Sequence, residues 1–294
     1  MTVWNQGTTV IGKVVSLWRY PVKSMLGEDL NSSHVTERGL LGDRTYAVVD
    51  KNTGKVASAK NPRKWGRLFD FRSVFVDSPQ AAGNIPPSPV RITFPDGTHM
   101  FSNQHDDIDY SLSQVFGRDV KLMGATSMEE KPGYEEYWSD IDDLAQRDKV
   151  TDEAMPSKTF FDIAVIHIMT TSTINRLREL YPEGRFEVRR FRPNIVIESP
   201  SASGEKGKKN KKGFIEDSWV GKRITIGEDN VVLKVTSPCT RCVMITLPQG
   251  DLPDDLGILR TVAVYNQVTA GVYASVQRSG GTVRRGDLVI MEEG

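Results

Sequence analysis

Short runs of β-branched and apolar residues, each stopped by Gly, Asp, Asn or Pro, recur from one end of the chain to the other. Residues 9–18, 45–50, 90–94, 194–198, 223–226, 231–236 and 287–291 all have this form. A single short strand leaves unpaired backbone donors and acceptors along both edges. Many of them with turn residues between predict a closed barrel or a sandwich. Lys51-Asn52-Thr53-Gly54 has turn chemistry, and residues 55–59 after it read as the return strand of a hairpin. Pro95-Asp96-Gly97-Thr98 repeats the pattern.

Helical periodicity is confined to two places. Residues 107–116 read as a short helix. Residues 173–181 place Ile174, Leu177 and Leu180 on one face, with Thr170 or Thr171 as the N-cap. The fold class is therefore β-rich α+β. Residues 126–158 are acidic and poor in aliphatic side chains, and they read as a connection between an N-terminal unit, 9–125, and a second unit, 159–292. Tyr134, Tyr137 and Trp138 imply that this connection packs against something. A low-complexity loop at 201–213 carries basic residues from Lys206 to Lys212.

The 294 residues include 38 Lys plus Arg and 38 Asp plus Glu. No global field draws in nucleic acid or a membrane surface, so any anion site must be built locally. No apolar run approaches the roughly 20 residues that span a bilayer. The start, Met1-Thr2-Val3-Trp4-Asn5-Gln6, lacks the features of a secretory signal. The expectation is a cytoplasmic protein with no nucleic-acid or membrane partner.

Only two cysteines occur, in Ser237-Pro238-Cys239-Thr240-Arg241-Cys242. Two thiols in so long a chain are not a disulfide framework. The pair reads as half of a zinc site, a redox dithiol, two buried apolar side chains, or a thiolate metal ligand. Zinc wants four ligands, yet His34, His99, His105 and His167 are scattered. A dithiol wants a helix start, whereas residues 243–246 look extended. Arg241 between the cysteines favours the thiolate, which is the form that binds metal.

Three other segments are candidates for holding an anion. In Tyr20-Pro21-Val22-Lys23-Ser24, Pro21 interrupts a strand and leaves Lys23 and Ser24 in a turn, either as a phosphate grip or as solvated surface. In Gly42-Asp43-Arg44, the arginine follows a glycine turn and meets either a phosphate or Asp43. In Arg189-Arg190-Phe191-Arg192-Pro193-Asn194, three arginines within four residues call for an anionic neighbour, unless one pairs with Glu187 and the others snorkel. Asn194 offers both a donor and an acceptor, suited to a heterocycle edge.

Together these segments, with Phe191-Arg192-Pro193-Asn194-Ile195-Val196 and Glu216-Asp217-Ser218-Trp219, resemble in their order the MOSC proteins that carry an N-terminal β-barrel-like domain. The resemblance covers about Gly12 to Met291. It implies a MOSC β-barrel, a β-rich N-terminal domain beside it and a cofactor cleft between them. The cofactor implied is molybdenum bound to one molybdopterin. Cys242, the second cysteine, would be the metal ligand; Cys239 reads either as a packing residue or as a support behind that ligand. Lys23, Ser24, Arg44, Arg192, Asn194 and Arg241 would hold the cofactor, and Asp162 would lie near the metal as a catalytic residue.

The relatives that this resemblance brings in are the amidoxime-reducing components. They imply a reductase of small N-hydroxylated or N-oxide compounds, with electrons from a separate donor protein, since the chain has no flavin or haem signature. The alternative is a non-catalytic carrier of the cofactor or of sulfur. Ile163 and Ala164 stand where the eukaryotic relatives carry hydroxyl residues. The basic run from Lys206 to Lys212 is an insertion relative to the family.

Overall fold

The computed structural model describes residues 8–80, 88–125, 159–199 and 213–292. The acidic connection and the basic loop expected from the sequence lie outside the described residues.

The chain opens with β1 (Thr8–Arg19), β2 (Glu28–Leu30), β3 (Ser32–Thr36), β4 (Gly39–Leu40) and β5 (Tyr46–Asp50). A one-turn helix α1 (Pro62–Trp65) leads to β6 (Arg72–Phe75), β7 (Val90–Thr93), β8 (His99–Phe101), α2 (His105–Phe116) and β9 (Val120–Gly124). The second half holds β10 (Ile166–Thr170), α3 (Thr171–Leu180), α4 (Val188–Phe191), β11 (Ile195–Glu198), β12 (Arg223–Ile226) and β13 (Val231–Thr240). It ends with α5 (Leu256–Asn266), β14 (Thr269–Arg278), β15 (Thr282–Arg284) and β16 (Leu288–Glu292).

Seven strands close into a barrel in the order β11-β10-β14-β13-β12-β16-β1, with β1 returning to β11. Every barrel pairing is antiparallel except β10 with β11. Closure removes the exposed strand edges that the short segments would otherwise carry. Val14, Leu17, Ile168, Ile195, Ile224, Leu233, Val272 and Val289 fill the interior.

The barrel draws its strands from both ends of the chain. Residues 9–125 read in sequence as one N-terminal unit, but β1 pairs with β11 and β16, both from the far end of the chain. β3 likewise pairs with β15. What stands beside the barrel is a smaller module of a β5–β9 ribbon, a β6-β7-β8 sheet and α2. Its core is Val22, Met25, Val48, Trp65, Leu68, Phe71, Ile92, Phe94, Ile108 and Leu112. A third apolar cluster joins α3, α5 and the barrel end through Met169, Ile174, Leu177, Phe191, Ile245, Ile258 and Val262.

Local expectations fare unevenly. Thr170 is the N-cap of α3, accepting from the Thr173 N–H. The hairpin return at 55–59 shrinks to one bridge, Val49 to Val56, while β9 supplies the long partner of β5. The strand expected at 231–236 runs on to Thr240 and carries Cys239 with it. Residues 243–245 form a 3-10 turn rather than extended chain, because the Cys242 carbonyl accepts from the Ile245 N–H. The sequence reading did not anticipate α5 and β14. No helix among the described residues is long and apolar enough to cross a membrane.

Candidate functional site

The site forms where the chain leaves the barrel for the module. Pro21 has no N–H to extend a ladder, so β1 ends at Arg19 and residues 20–26 become a junction. The junction is pinned by Tyr20 N donating to Asp43 Oδ1 (2.7 Å), Lys23 N to the Tyr46 carbonyl (2.9 Å) and Leu26 N to the Phe71 carbonyl (2.9 Å). Ser24 Oγ accepts from the Ala59 N–H at 3.1 Å, which fixes the loop carrying Lys60.

Lys23 is 4% exposed. Its Nζ donates to the Phe160 carbonyl (2.9 Å) and to Asp162. Lys60 Nζ lies 3.1 Å from the other Asp162 oxygen. Burial alone would raise the Asp162 carboxyl, but attraction from Lys23, then Lys60, and their hydrogen bonds hold it well below the usual carboxylate range. For Lys60, burial lowers the pKa, but Asp162 and then the nearby Cys242 sulfur outweigh it and raise it. Lys60 thus pairs with the carboxylate and lies within electrostatic reach of the Cys242 sulfur. Nothing in its sequence surroundings marks it, because a lysine before Asn-Pro reads as ordinary loop.

A second cluster surrounds Tyr20 and Asp43. Asp43, 3% exposed, pairs with Arg44 and accepts from Asn194 Nδ2 at 2.8 Å. Arg44 and Arg192 both lie over the Tyr20 ring, 4.7 and 4.2 Å from its centroid. Arg192 Nη1 donates to the Met25 carbonyl at 2.7 Å. Burial lowers Arg192 to about 10, partly offset by Tyr20, so it stays charged at neutral pH. Ser24, Arg44 and Arg192 are all non-glycine residues with positive φ: 64°, 48° and 56°. Each such residue costs about 1–3 kcal/mol, and such strain gathers at functional sites.

Asn194 is engaged at both ends. Nδ2 reaches Asp43 and the Trp18 carbonyl, and Oδ1 accepts from the His167 N–H at 3.0 Å. It therefore ties β1, the Asp43 turn and β10 together instead of offering an edge to a ligand. Of the three clustered arginines only Arg192 reaches the site. Arg189 pairs with Glu187 and Asp251 at the surface. Arg190 is fully buried and donates to the carbonyls of Arg185, Ile245, Leu247 and Pro253. Glu216, also buried, accepts from both Thr170 and Thr173 hydroxyls at 2.7 Å and secures the start of α3.

The two cysteines differ. Cys239 is fully buried on β13, and Arg241 Nη1 meets its sulfur at 2.7 Å. Cys242 sits past the strand end and is half-buried. Arg241 Nη2 donates to the Phe191 carbonyl at 2.8 Å, and its Nε is a buried atom with no partner, as is His167 Nε2. No group of three or more His, Cys, Asp or Glu among the described residues could hold a metal ion. A metal on Cys242 would need its other ligands from elsewhere.

Five cations (Lys23, Lys60, Arg44, Arg192 and Arg241) thus face two carboxylates, Asp43 and Asp162. Among the described residues, cations therefore outnumber carboxylates at this junction, in a chain whose net charge is zero. Partly desolvated charge of one sign persists where an anion compensates it.

The MOSC N-terminal beta barrel domain model matches residues 11–68, and the MOSC domain model matches residues 156–290. The rat mitochondrial amidoxime reducing component 2 is 23% identical over 304 residues, covering 95% of this chain and 83% of the relative. The human protein of that name is 24% identical, with the same coverage of each chain. A rice molybdenum cofactor sulfurase is 22% identical over 84% of this chain but only 30% of its own length. Among solved structures, the YuaD protein from Bacillus subtilis aligns over 99% of this chain and all of its own, with 12% identity and a TM-score of 0.47.

Proposed function

Because the chain belongs to the MOSC-domain proteins with an N-terminal MOSC β-barrel domain, we propose that it binds a molybdenum–molybdopterin cofactor in the junction cleft and reduces small N-oxygenated compounds. The observation that carries this reading is the excess of cations over carboxylates, among the described residues, near a half-buried cysteine. A molybdopterin brings a phosphate and soft sulfur ligands, and these suit arginine and lysine donors and a thiolate.

In this reading Cys242 is the protein's ligand to the metal. Lys23, Arg44, Arg192 and Arg241 meet the anionic groups, with Ser24 holding the loop that carries Lys60. Arg241 Nε is a donor left for an anionic oxygen. Asn194 keeps the cradle in register through Asp43. Asp162 is ionised at neutral pH, so it orients Lys60 beside the sulfur rather than delivering a proton. The cofactor, when bound, supplies the two-electron chemistry that cleaves the N–O bond. In this reading the electrons come from a separate donor protein.

The test is reduction of benzamidoxime by the purified, molybdenum-loaded protein with an artificial electron donor. Turnover is expected, and Cys242→Ser is expected to abolish it while leaving the fold intact. Loaded protein without turnover of any N-oxygenated substrate would favour a carrier of the cofactor or of sulfur. Zinc in place of molybdenum would overturn both readings.

A further inference from the structure

Strand β13 carries one backbone hydrogen bond beyond its ladder. Its last pair with β14 is Thr240–Thr269, yet the Arg241 N–H donates in turn to the Val268 carbonyl at 2.7 Å. Past that bond the chain turns off the strand into Cys242. The acceptor sits on an unusual backbone. Gln267 ends α5 with φ 52°, and Val268 follows with φ 62°. A single left-handed residue is an ordinary helix end, and glycine or asparagine usually takes it. A second one is not needed to end a helix, and a branched Cβ suits it poorly. Among the described residues, Val268 is the one β-branched residue with positive φ, and 267–268 the one consecutive non-glycine pair.

The turn is clasped from both sides. Asn266 Nδ2 donates to the Thr269 carbonyl (3.0 Å), and Thr269 Oγ1 donates to the Asn266 carbonyl (2.8 Å). Asn266 Nδ2 also donates to Asp217 Oδ2 at 2.9 Å. Asp217 lies in the short 3-10 helix Ile215–Trp219, where its neighbour Glu216 is buried against the start of α3. A costly backbone conformation persists where its surroundings over-determine it. Here the surroundings are this clasp, and what it fixes is the carbonyl that meets Arg241.

We propose that Val268 is a positioning residue: its left-handed backbone, locked by Asn266 and Asp217, holds Arg241 and so sets where Cys242 leaves the strand. That Cys242 is a metal ligand rests on the cofactor reading above, but the hold on Arg241 does not.

The usual order of conservative substitution is then reversed at this position. Asparagine changes the chemistry of the side chain but accepts positive φ. Proline stays apolar, but its ring fixes φ at about −65°. Alanine shortens the side chain and keeps a Cβ that disfavours positive φ. A turn that only joins α5 to β14 would leave the Arg241 amide indifferent to the residue at 268.

Amide hydrogen exchange and thermal unfolding are measured on the full chain prepared without cofactor, for wild type, Val268→Asn, Val268→Ala, Val268→Pro and Asn266→Ala. The Val235 N–H on the same strand, which donates to the Lys222 carbonyl, is the reference. Exchange at Arg241 is expected to rise at least about tenfold relative to Val235 in Val268→Pro and Asn266→Ala, the scale of one lost hydrogen bond. Val268→Asn is expected to keep wild-type protection and to unfold at a higher temperature than Val268→Ala. In chains purified from a host that makes the cofactor, Val268→Pro and Asn266→Ala are expected to lose molybdenum relative to pterin, and Val268→Asn to keep it. Unchanged Arg241 protection in Val268→Pro, an equal rise at Val235, or Val268→Ala unfolding above Val268→Asn overturns the proposal. So does full molybdenum in a Val268→Pro chain that has lost the Arg241 protection. A wild-type chain without molybdenum strikes the cofactor reading instead, and the exchange result then decides this one. If Val268→Pro does not fold, Asn266→Ala decides by the same readings.

Discussion

Asp162 holds two lysines that come from the other side of the junction, so replacing it by Asn leaves like charges facing each other. Removing one partner of a buried pair costs about 3–5 kcal/mol. The lower end applies here because Asp162 remains 29% exposed. Its carboxyl is depressed in the folded protein, so the stability it contributes is full above about pH 4 and is lost as pH falls toward the folded value. The gap between wild type and Asp162→Asn in urea unfolding should stay constant from neutral pH to about 4 and close only in stronger acid. His167 acts in a different window. Burial, and then Arg241, lower it to about 3, so below about 6.5 the unfolded chain binds a proton that the folded chain refuses. Stability should fall by about 1.4 kcal/mol per pH unit across that range, and His167→Gln should flatten the slope. At this scale the sequence exposed charged residues beside turn signals, which made Lys23, Arg44 and Arg192 candidates, while the family resemblance singled out Cys242 from Cys239. It could not show that Asn194 is engaged at both ends, nor that Lys60 shares the carboxylate of Lys23, because those contacts join residues far apart in the chain.

At the scale of elements, β1 both closes the barrel and delivers the junction. Gly12 lies against β11, where a Cβ would stand 2.4 Å from the Glu198 carbonyl oxygen and 2.6 Å from Ile197 Cγ2. Gly12→Val should push β1 away from β11 at a cost of about 3 kcal/mol, the upper end for overpacking. It should also loosen the site, since Tyr20 and Lys23 follow directly; urea unfolding with and without bound cofactor measures both effects. Strand positions were legible in sequence because alternating apolar residues and turn chemistry are local signals. Strand partners were not, and so the pairing of β1 with β11 and β16 from the far end of the chain was not foreseen. The Cys239 segment was misjudged for a related reason. Strand β13 runs on to Thr240 because β14 pairs with it that far, from Val232–Arg278 to Thr240–Thr269. That leaves Cys239 on the strand and Cys242 just past it.

Across the whole molecule, a neutral chain concentrates positive charge where the barrel and the module meet. The same contacts hold the two together. Tyr20 OH reaches the Pro193 carbonyl, Arg192 the Met25 carbonyl, and Asn194 the Asp43 carboxylate. Site and junction are thus one structure, and a bound anion should stabilise the whole chain by mass action. Strand density narrowed the fold to a barrel or a sandwich, whereas the choice of barrel and the expected ligand came from the order of the motifs. The most direct measurement is the molybdenum and pterin content of wild type and Cys242→Ser, both purified from a host that makes the cofactor. Molybdenum and pterin equimolar with the wild-type chain are expected, with molybdenum lost and pterin partly kept in Cys242→Ser. A wild-type chain with neither, or a Cys242→Ser chain that keeps its full molybdenum, would contradict the assignment.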